Sequence, residues 1–326
     1  MNMNETTKTI PASIKEKEQW LKDRYWKFGE EENLDDHLHD IFEVDDDGQR
    51  TAEPRFDPLN RETKGLMVLG ASGNGKTALL MRALRVDPVL TEFKLPQGGN
   101  TLFITVPPDA TIKKLAEIIL AETGYTKINA KLRATDAWEL ARHRFGLVGI
   151  KTLVIDECHH ILRPGAGRDI PAAIQALKHI MQSEHRVALI IAGVPGLKDA
   201  ILAEASGETM RRFNEFSLSR IRPKSKGAVL FSRNFAKSAG LLGLHVAEED
   251  VIPERILFAQ NGQIGKSVKL AKEILRAAVV RGRDEITLSH AERVYRKSNS
   301  GLDMTPFDAA EWDVVKAELT TIGWGQ

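Results

Sequence analysis

The sequence predicts an α/β fold: a parallel sheet layered with helices, followed by a small all-helical domain. Three observations predict it. From Lys64 onward, short apolar runs alternate with stretches of helical period. Those runs are continuous rather than alternating, as in strands covered on both faces. After Arg222-Pro223-Lys224-Ser225-Lys226 the strand signals nearly vanish.

Taken in order, residues 1–29 read as an N-terminal helical segment in which Trp20, Leu21, Tyr25, Trp26 and Phe28 form an apolar face, expected to dock onto a protein. Residues 30–57 hold twelve acids against Arg50 and Arg55, end among Pro54 and Pro58, and read as an acidic linker. The α/β core is expected over 58–222. Its strands are Leu66-Met67-Val68-Leu69, Leu102-Phe103-Ile104-Thr105-Val106, Thr152-Leu153-Val154-Ile155, Val187 to Ala192 and a fifth from Glu215 to Leu218. Its helices run from Thr77 to Arg85, Ile112 to Glu122 and Ala134 to Phe145. A helical lid domain, 223–297, carries helical periods over Ala228 to Ala239, Val268 to Arg281 and Leu288 to Lys297. The tail, 298–326, holds Trp312 and Trp324, expected to contact a partner; packing on the chain itself is the alternative.

With 326 residues, 42% hydrophobic and 28% charged, the chain is of the ordinary globular class. No apolar run approaches the roughly 20 residues of a membrane helix. The first residues lack a cationic and an apolar signal region, and the single Cys158 suits a reducing compartment, so a cytoplasmic protein is expected. The net charge of +1 conceals a split: the acidic segment carries −10 and the remainder +11. A basic body behind an acidic lead-in suits an anionic partner.

Gly70-Ala71-Ser72-Gly73-Asn74-Gly75-Lys76-Thr77 matches G-x-x-x-x-G-K-[ST] between a strand and a helix. Its glycines let successive N–H groups point inward at phosphates, and the helix N-terminus adds its positive end. Lys76 is expected on the β and γ phosphates and Thr77 on Mg²⁺. The third strand ends in Asp156-Glu157, which predicts Asp156 in the Mg²⁺ shell and Glu157 as the base that activates water, favouring hydrolysis. Cys158, His159 and His160 all carry zinc-type donors, but three consecutive residues are not expected to converge on one ion.

The strand, glycine loop and lysine, the Leu153-Val154-Ile155-Asp156-Glu157 run and the appended helical domain together resemble the P-loop AAA+ ATPases. Within them the chain is similar to the TniB/TnsC group of transposon regulators, related in role to MuB and IstB, over roughly Phe56 to Lys297. The resemblance implies ATP and Mg²⁺ as ligands. It implies an arginine finger in Met210-Arg211-Arg212-Phe213, Arg212 first and Arg211 second, reaching a neighbour's γ-phosphate. It also implies a sensor-2 turn at Gly262-Gln263-Ile264-Gly265-Lys266, with Lys266 where Arg is usual. Val194 stands where many relatives have a polar sensor-1 residue, which suits slow or partner-stimulated ATP hydrolysis.

A finger acting on a neighbour implies a ring or helical filament of head-to-tail copies. The resemblance further implies wrapping of duplex DNA through backbone contacts, a DDE transposase and a TniQ-like target selector as partners, and no membrane. Lys113, Lys114, Lys127 and Lys131 are the expected DNA contacts, with solvated surface as the alternative reading; Arg220, Arg222, Lys224 and Lys226 form a second basic candidate. The function so implied is ATP-dependent regulation of DNA transposition, hydrolysis dissolving the filament. A nucleotide-gated scaffold with little hydrolysis, or a loader of a helicase or replication initiator, are the alternatives.

Overall fold

The computed structural model describes residues 13–129, 131–163, 170–182, 184–204 and 206–325. They fall into two compact units: residues 30–72 with 76–218, and the chain up to residue 29 with 73–75 and 219 onward.

The first unit is built on a five-stranded, all-parallel sheet. In chain order its strands are β5 (Gly65–Leu69), β6 (Thr101–Thr105), β7 (Thr152–Asp156), β8 (Ala188–Gly193) and β9 (Phe213–Ser217), and in space they run β6-β7-β8-β5-β9. Every residue of β5, β7 and β8 is buried, which explains why these strands read as unbroken apolar runs. The crossovers are helices α3 (Lys76–Val86), α4 (Ile112–Glu122), α5 (Ala134–Val148), α6 (Ile170–Met181) and the short α7 (Gly196–Leu202). Their apolar faces, among them Leu115, Ile119, Phe145, Ile174 and Leu177, close a continuous core with Leu102, Leu153 and Leu189 of the sheet. Parallel strands must all end on one side of the sheet, so the loop after β5 and the acids closing β7 share that side.

The expected acidic linker is instead ordered structure of this unit. It holds helix α2 (Glu30–His39), a hairpin of β1 (Phe42–Val44) and β2 (Arg50–Pro54), and a two-residue pair, β3 (Phe56–Asp57) with β4 (Glu62–Thr63). Leu34, Leu38 and Ile41 recur at helical spacing and, with Phe42, are fully buried, each contributing about 1.5–3 kcal/mol of apolar burial. His37 meets the ring of Phe216 on β9 edge-on at 5.5 Å. Arg50 ion-pairs with Asp87, and with Asp35 at 3.2 Å. The acids occupy the outer face, which is why charge density masked the helix.

The second unit is mainly helical: α1 (Ile14–Asp23), α8 (Lys226–Leu241), α9 (Ile252–Ala259), α10 (Ile264–Val280), α11 (Leu288–Arg296) and α12 (Trp312–Thr321). One short parallel pair, β10 (His245–Val246) with β11 (Glu285–Ile286), qualifies the all-helical expectation. The N-terminal segment expected to dock on another protein packs on its own chain. Ser13 and Glu16 close a capping box at its start. Trp26 is buried edge-on against Phe231 at 5.4 Å, Lys272 Nζ donates to the Arg24 carbonyl at 2.6 Å, and Arg276 pairs with Glu18 at 2.6 Å.

The expected partner-binding tail likewise lies on its own unit. Phe258 receives Trp312 edge-on at 5.4 Å and Trp324 in a stack at 6.4 Å. Arg255, fully buried, donates to the carbonyls of Asp250, Pro306, Asp308 and Ala310 at 2.9–3.2 Å. A buried guanidinium persists only where its donors are met, and here residues 306–310 meet most of them. Among the described residues, no helix is long and apolar enough to cross a membrane.

Candidate functional site

Strand β5 ends at Leu69, and the chain turns through Gly73 (φ 85°) and Gly75 (φ 91°) before α3 begins at Lys76. Both glycines sit in the left-handed region that side chains avoid, as required to curl the backbone around a ligand's oxygens. The Lys76 side chain is buried, its Nζ donating to the Gly70 carbonyl at 2.9 Å. Burial holds this ammonium below the usual lysine range, against the opposing pull of Glu157 and Asp156.

At the second residue of α3, Thr77 Oγ1 donates to Asp156 Oδ2 at 2.5 Å. Asp156 is fully buried at the end of β7, and its Oδ1 accepts the backbone N–H of Glu157 at 2.9 Å. Thr77 and Asp156 therefore present oxygen donors only, the set that fits Mg²⁺. Lys76, Thr77, Asp156 and Glu157, expected as one constellation, are together on this unit.

Glu157 takes a left-handed backbone (φ 55°) and opens a 3₁₀ turn, Cys158–His160. Its Oε2 lies 3.3 Å from His159 Nδ1 and 3.9 Å from His160 Nε2. Cys158 points into the core, where burial pushes its thiol up to about 12. His159 is pushed down to about 4 by burial first and by the neighbouring His160, Arg163 and Lys76 after it. The sequence reading passed over His159 as a companion of Glu157; its place two residues on was the available signal. A methyl added at Gly193, the last residue of β8, would stand 3.2 Å from His159 Nδ1, so the glycine before Val194 leaves room for that ring.

In the helical unit, which includes residues 73–75, the sensor-2 turn lies against the glycine loop. The Lys266 N–H donates to the Gly73 carbonyl at 3.0 Å. A Cβ built on Gly265 would fall 2.5 Å from that carbonyl oxygen, and one on Gly73 would strike the Lys266 stem at 2.7 Å. Only glycine at both positions permits the approach. Gly265 and Lys266 both belong to the expected turn, Gly265 making the approach through its lack of a side chain and Lys266 through its backbone N–H.

The two arginines expected as finger candidates differ sharply in their surroundings. Arg212 closes a 3₁₀ turn, Met210–Arg212, with its side chain 3% exposed and Nη2 2.7 Å from Glu62 Oε2, itself buried on β4. A guanidinium spent inside its own chain is not presented to a neighbour. Arg211 is 54% exposed and 3.7 Å from Glu62. Glu62 was not foreseen; a lone acid before a strand carries no signal in sequence.

Lys113 and Lys114 begin α4 behind the Thr111 cap, and both face Glu117, at 3.8 and 3.6 Å. Lys127 and Lys131 are exposed between α4 and α5. A groove beside α4 is lined by Lys114, Glu117, Ile118, Ala121 and Ile128. Lys113 and Lys114 thus share one carboxylate. Arg220, Arg222, Lys224 and Lys226 are exposed as well.

With this geometry established, the chain was compared with known proteins. A family model described as "Bacterial TniB protein" matches residues 55–223, slightly more than half of the chain. No curated protein matches. Among solved structures, the ORC1 protein of Aeropyrum pernix in complex with DNA is 15% identical, with 86% of this chain and 67% of that one covered at a TM-score of 0.59. The ORC2 protein of the same organism, in ADPNP–ADP complexes, is 11% identical, with 94% and 89% covered at 0.57. Cdc6p from Pyrobaculum aerophilum is 15% identical, with 91% and 71% covered at 0.56. At these identities the likeness is one of fold, and the fold is that of the P-loop AAA+ ATPases.

Proposed function

The chain belongs to the TniB family, and from that premise we propose that it is an ATP-dependent, DNA-binding regulator of transposition, assembling on target duplex and recruiting or activating a transposase. The observation that carries the reading is the Lys76, Thr77, Asp156 and Glu157 constellation, with Thr77 and Asp156 held 2.5 Å apart. Lys76 and the inward N–H groups of the loop bind the triphosphate, and Thr77 and Asp156 hold Mg²⁺, which when bound neutralises phosphate charge. Glu157 orients the attacking water and takes its proton. Arg211 of an adjacent copy stabilises the charge on the transferring phosphoryl group, so turnover requires assembly.

DNA as the partner is supported by the net +11 outside residues 30–57 and by the lysines flanking α4 and α5. The ORC1 protein of similar fold is seen with DNA. Backbone contacts of this kind carry no base recognition, so a TniQ-like selector supplies target choice. Hydrolysis disperses the assembly and resets that choice.

The test is assembly on duplex DNA measured by sedimentation, alongside phosphate release. Lys76→Ala abolishes nucleotide-dependent assembly, whereas Glu157→Gln keeps assembly and stops turnover. A chain that stays monomeric with ATP, Mg²⁺ and duplex all present overturns the reading. A nucleotide-gated scaffold with little hydrolysis is a second reading, favoured by Val194 in place of a polar sensor; it requires phosphate release that duplex does not stimulate.

A further inference from the structure

We propose that Glu157, His159 and His160 form a binding site for a zinc-class divalent cation, whose occupation withdraws the water-activating carboxylate from catalysis. Consecutive Cys158, His159 and His160 do not converge, as the sequence suggests, but the structure selects a different triple. The left-handed backbone at Glu157 and the 3₁₀ turn after it send Cys158 into the core and leave the other three on one side. Their donor atoms all lie within 4.8 Å of one another.

The spacing suits the ion. Tetrahedral zinc with bonds of about 2.0–2.1 Å sets its donors about 3.3–3.4 Å apart. His159 Nδ1 and Glu157 Oε2 are 3.3 Å apart, and His160 Nε2 stands 3.9 Å from the same oxygen. His159 Nδ1 is buried with no hydrogen bond, on a side chain only 6% exposed, and it faces the carboxylate. With its proton on Nε2 the ring offers the Nδ1 lone pair to a cation.

Donor chemistry separates this site from the neighbouring oxygen pair. Two imidazoles and a carboxylate select zinc, cobalt or nickel over Mg²⁺, which keeps to Thr77 and Asp156. Three protein ligands leave a fourth position for water. Binding stands on geometry alone; its effect on hydrolysis rests on the assignment of Glu157 as the base.

The full chain without nucleotide is titrated with zinc against a chromophoric indicator, and in parallel with cobalt(II). The expected result is one equivalent of zinc at micromolar concentration, unaffected by millimolar Mg²⁺, and a cobalt d–d absorption that zinc abolishes. His159→Gln and His160→Gln each weaken zinc binding at least about tenfold, while Cys158→Ala retains it. His160, 12% exposed, is the variant less prone to misfold, and the cobalt spectrum of the unaltered chain needs no variant. Equal zinc uptake by the His159→Gln/His160→Gln double variant, or none by the folded wild type, overturns the site. Zinc that binds at one equivalent yet leaves ATP turnover unchanged overturns the regulatory role and spares the site. Absence of turnover in the zinc-free protein, with zinc binding intact, counts against the ATPase reading instead.

Discussion

The hydroxyl of Thr77 donates to Asp156 Oδ2 across 2.5 Å, joining the helix behind the glycine loop to the end of a strand 79 residues later. This bond fixes two oxygen donors before any cation arrives.

Thr77→Ala removes one of the pair. The concentration of Mg²⁺ needed for half-maximal ATP turnover rises about 10–100-fold, and Thr77→Ser, which keeps the hydroxyl, restores most of the loss. A magnesium titration of phosphate release reads this directly.

The neighbouring arginines separate fold from catalysis. Arg212→Ala leaves the buried Glu62 carboxylate with only Arg211, 3.7 Å away, and costs about 3–5 kcal/mol in chemical denaturation. Arg211→Ala, at an exposed position, changes stability by less than about 0.5 kcal/mol. In assembled protein it lowers ATP turnover about 10³-fold. Normal turnover by Arg211→Ala removes it as the trans-acting residue.

Gly265→Ala drives a methyl into the Gly73 carbonyl and displaces the glycine loop. Affinity for a fluorescent ATP analogue drops at least about tenfold. Gly240→Ala on α8, where a Cβ meets nothing within 4 Å, keeps that affinity and gains up to about 1 kcal/mol of stability.

Removing residues 298–326 strips Arg255 of the carbonyls of Pro306, Asp308 and Ala310 and uncovers Phe258. The truncated chain is expected to lose its cooperative thermal transition or to aggregate. A truncated chain that melts as the full one does would show that the tail is not structural.

His290 is fully buried, its Nε2–H donating to the Ile274 carbonyl at 3.2 Å, and burial holds it below the ordinary histidine range. The folded ring stays neutral while the unfolded chain takes up a proton near pH 6.5, so the unfolded state binds more protons and stability falls as pH drops below that value. His159, held at about 4, has the same sign and carries the loss toward pH 4. Denaturation midpoints from pH 7 to 4.5 fall less steeply in His290→Gln.

The sheet and the glycine loop were legible because each rests on local pattern. Gly65–Leu69 and Thr152–Asp156 are buried on both faces and so read as apolar runs, and the loop's residue types are dictated by phosphate chemistry. Helix α2 was lost because Leu34, Leu38 and Ile41 lie among acids whose density suggested a linker. Helix α6 passed unread although Ile174, Leu177 and Met181 keep a helical spacing. Arg212 and Glu62 are 150 residues apart, and which of two adjacent arginines turns inward is settled by that distant carboxylate. The Glu157 cluster depends on a positive φ at a residue that is not glycine, for which sequence offers no marker.

Strand β5, which carries the loop, is hydrogen-bonded on one side to β8 and on the other to β9, with Gly65 opposite Leu189 and Phe213. Both flanking strands leave the ribosome long after it. During synthesis the glycine loop is therefore tethered to an unpaired strand until residues 188–217 emerge, and these distant pairings make closure of the sheet a late, slow event. A nascent chain carries the motif well before the sheet that positions it is complete.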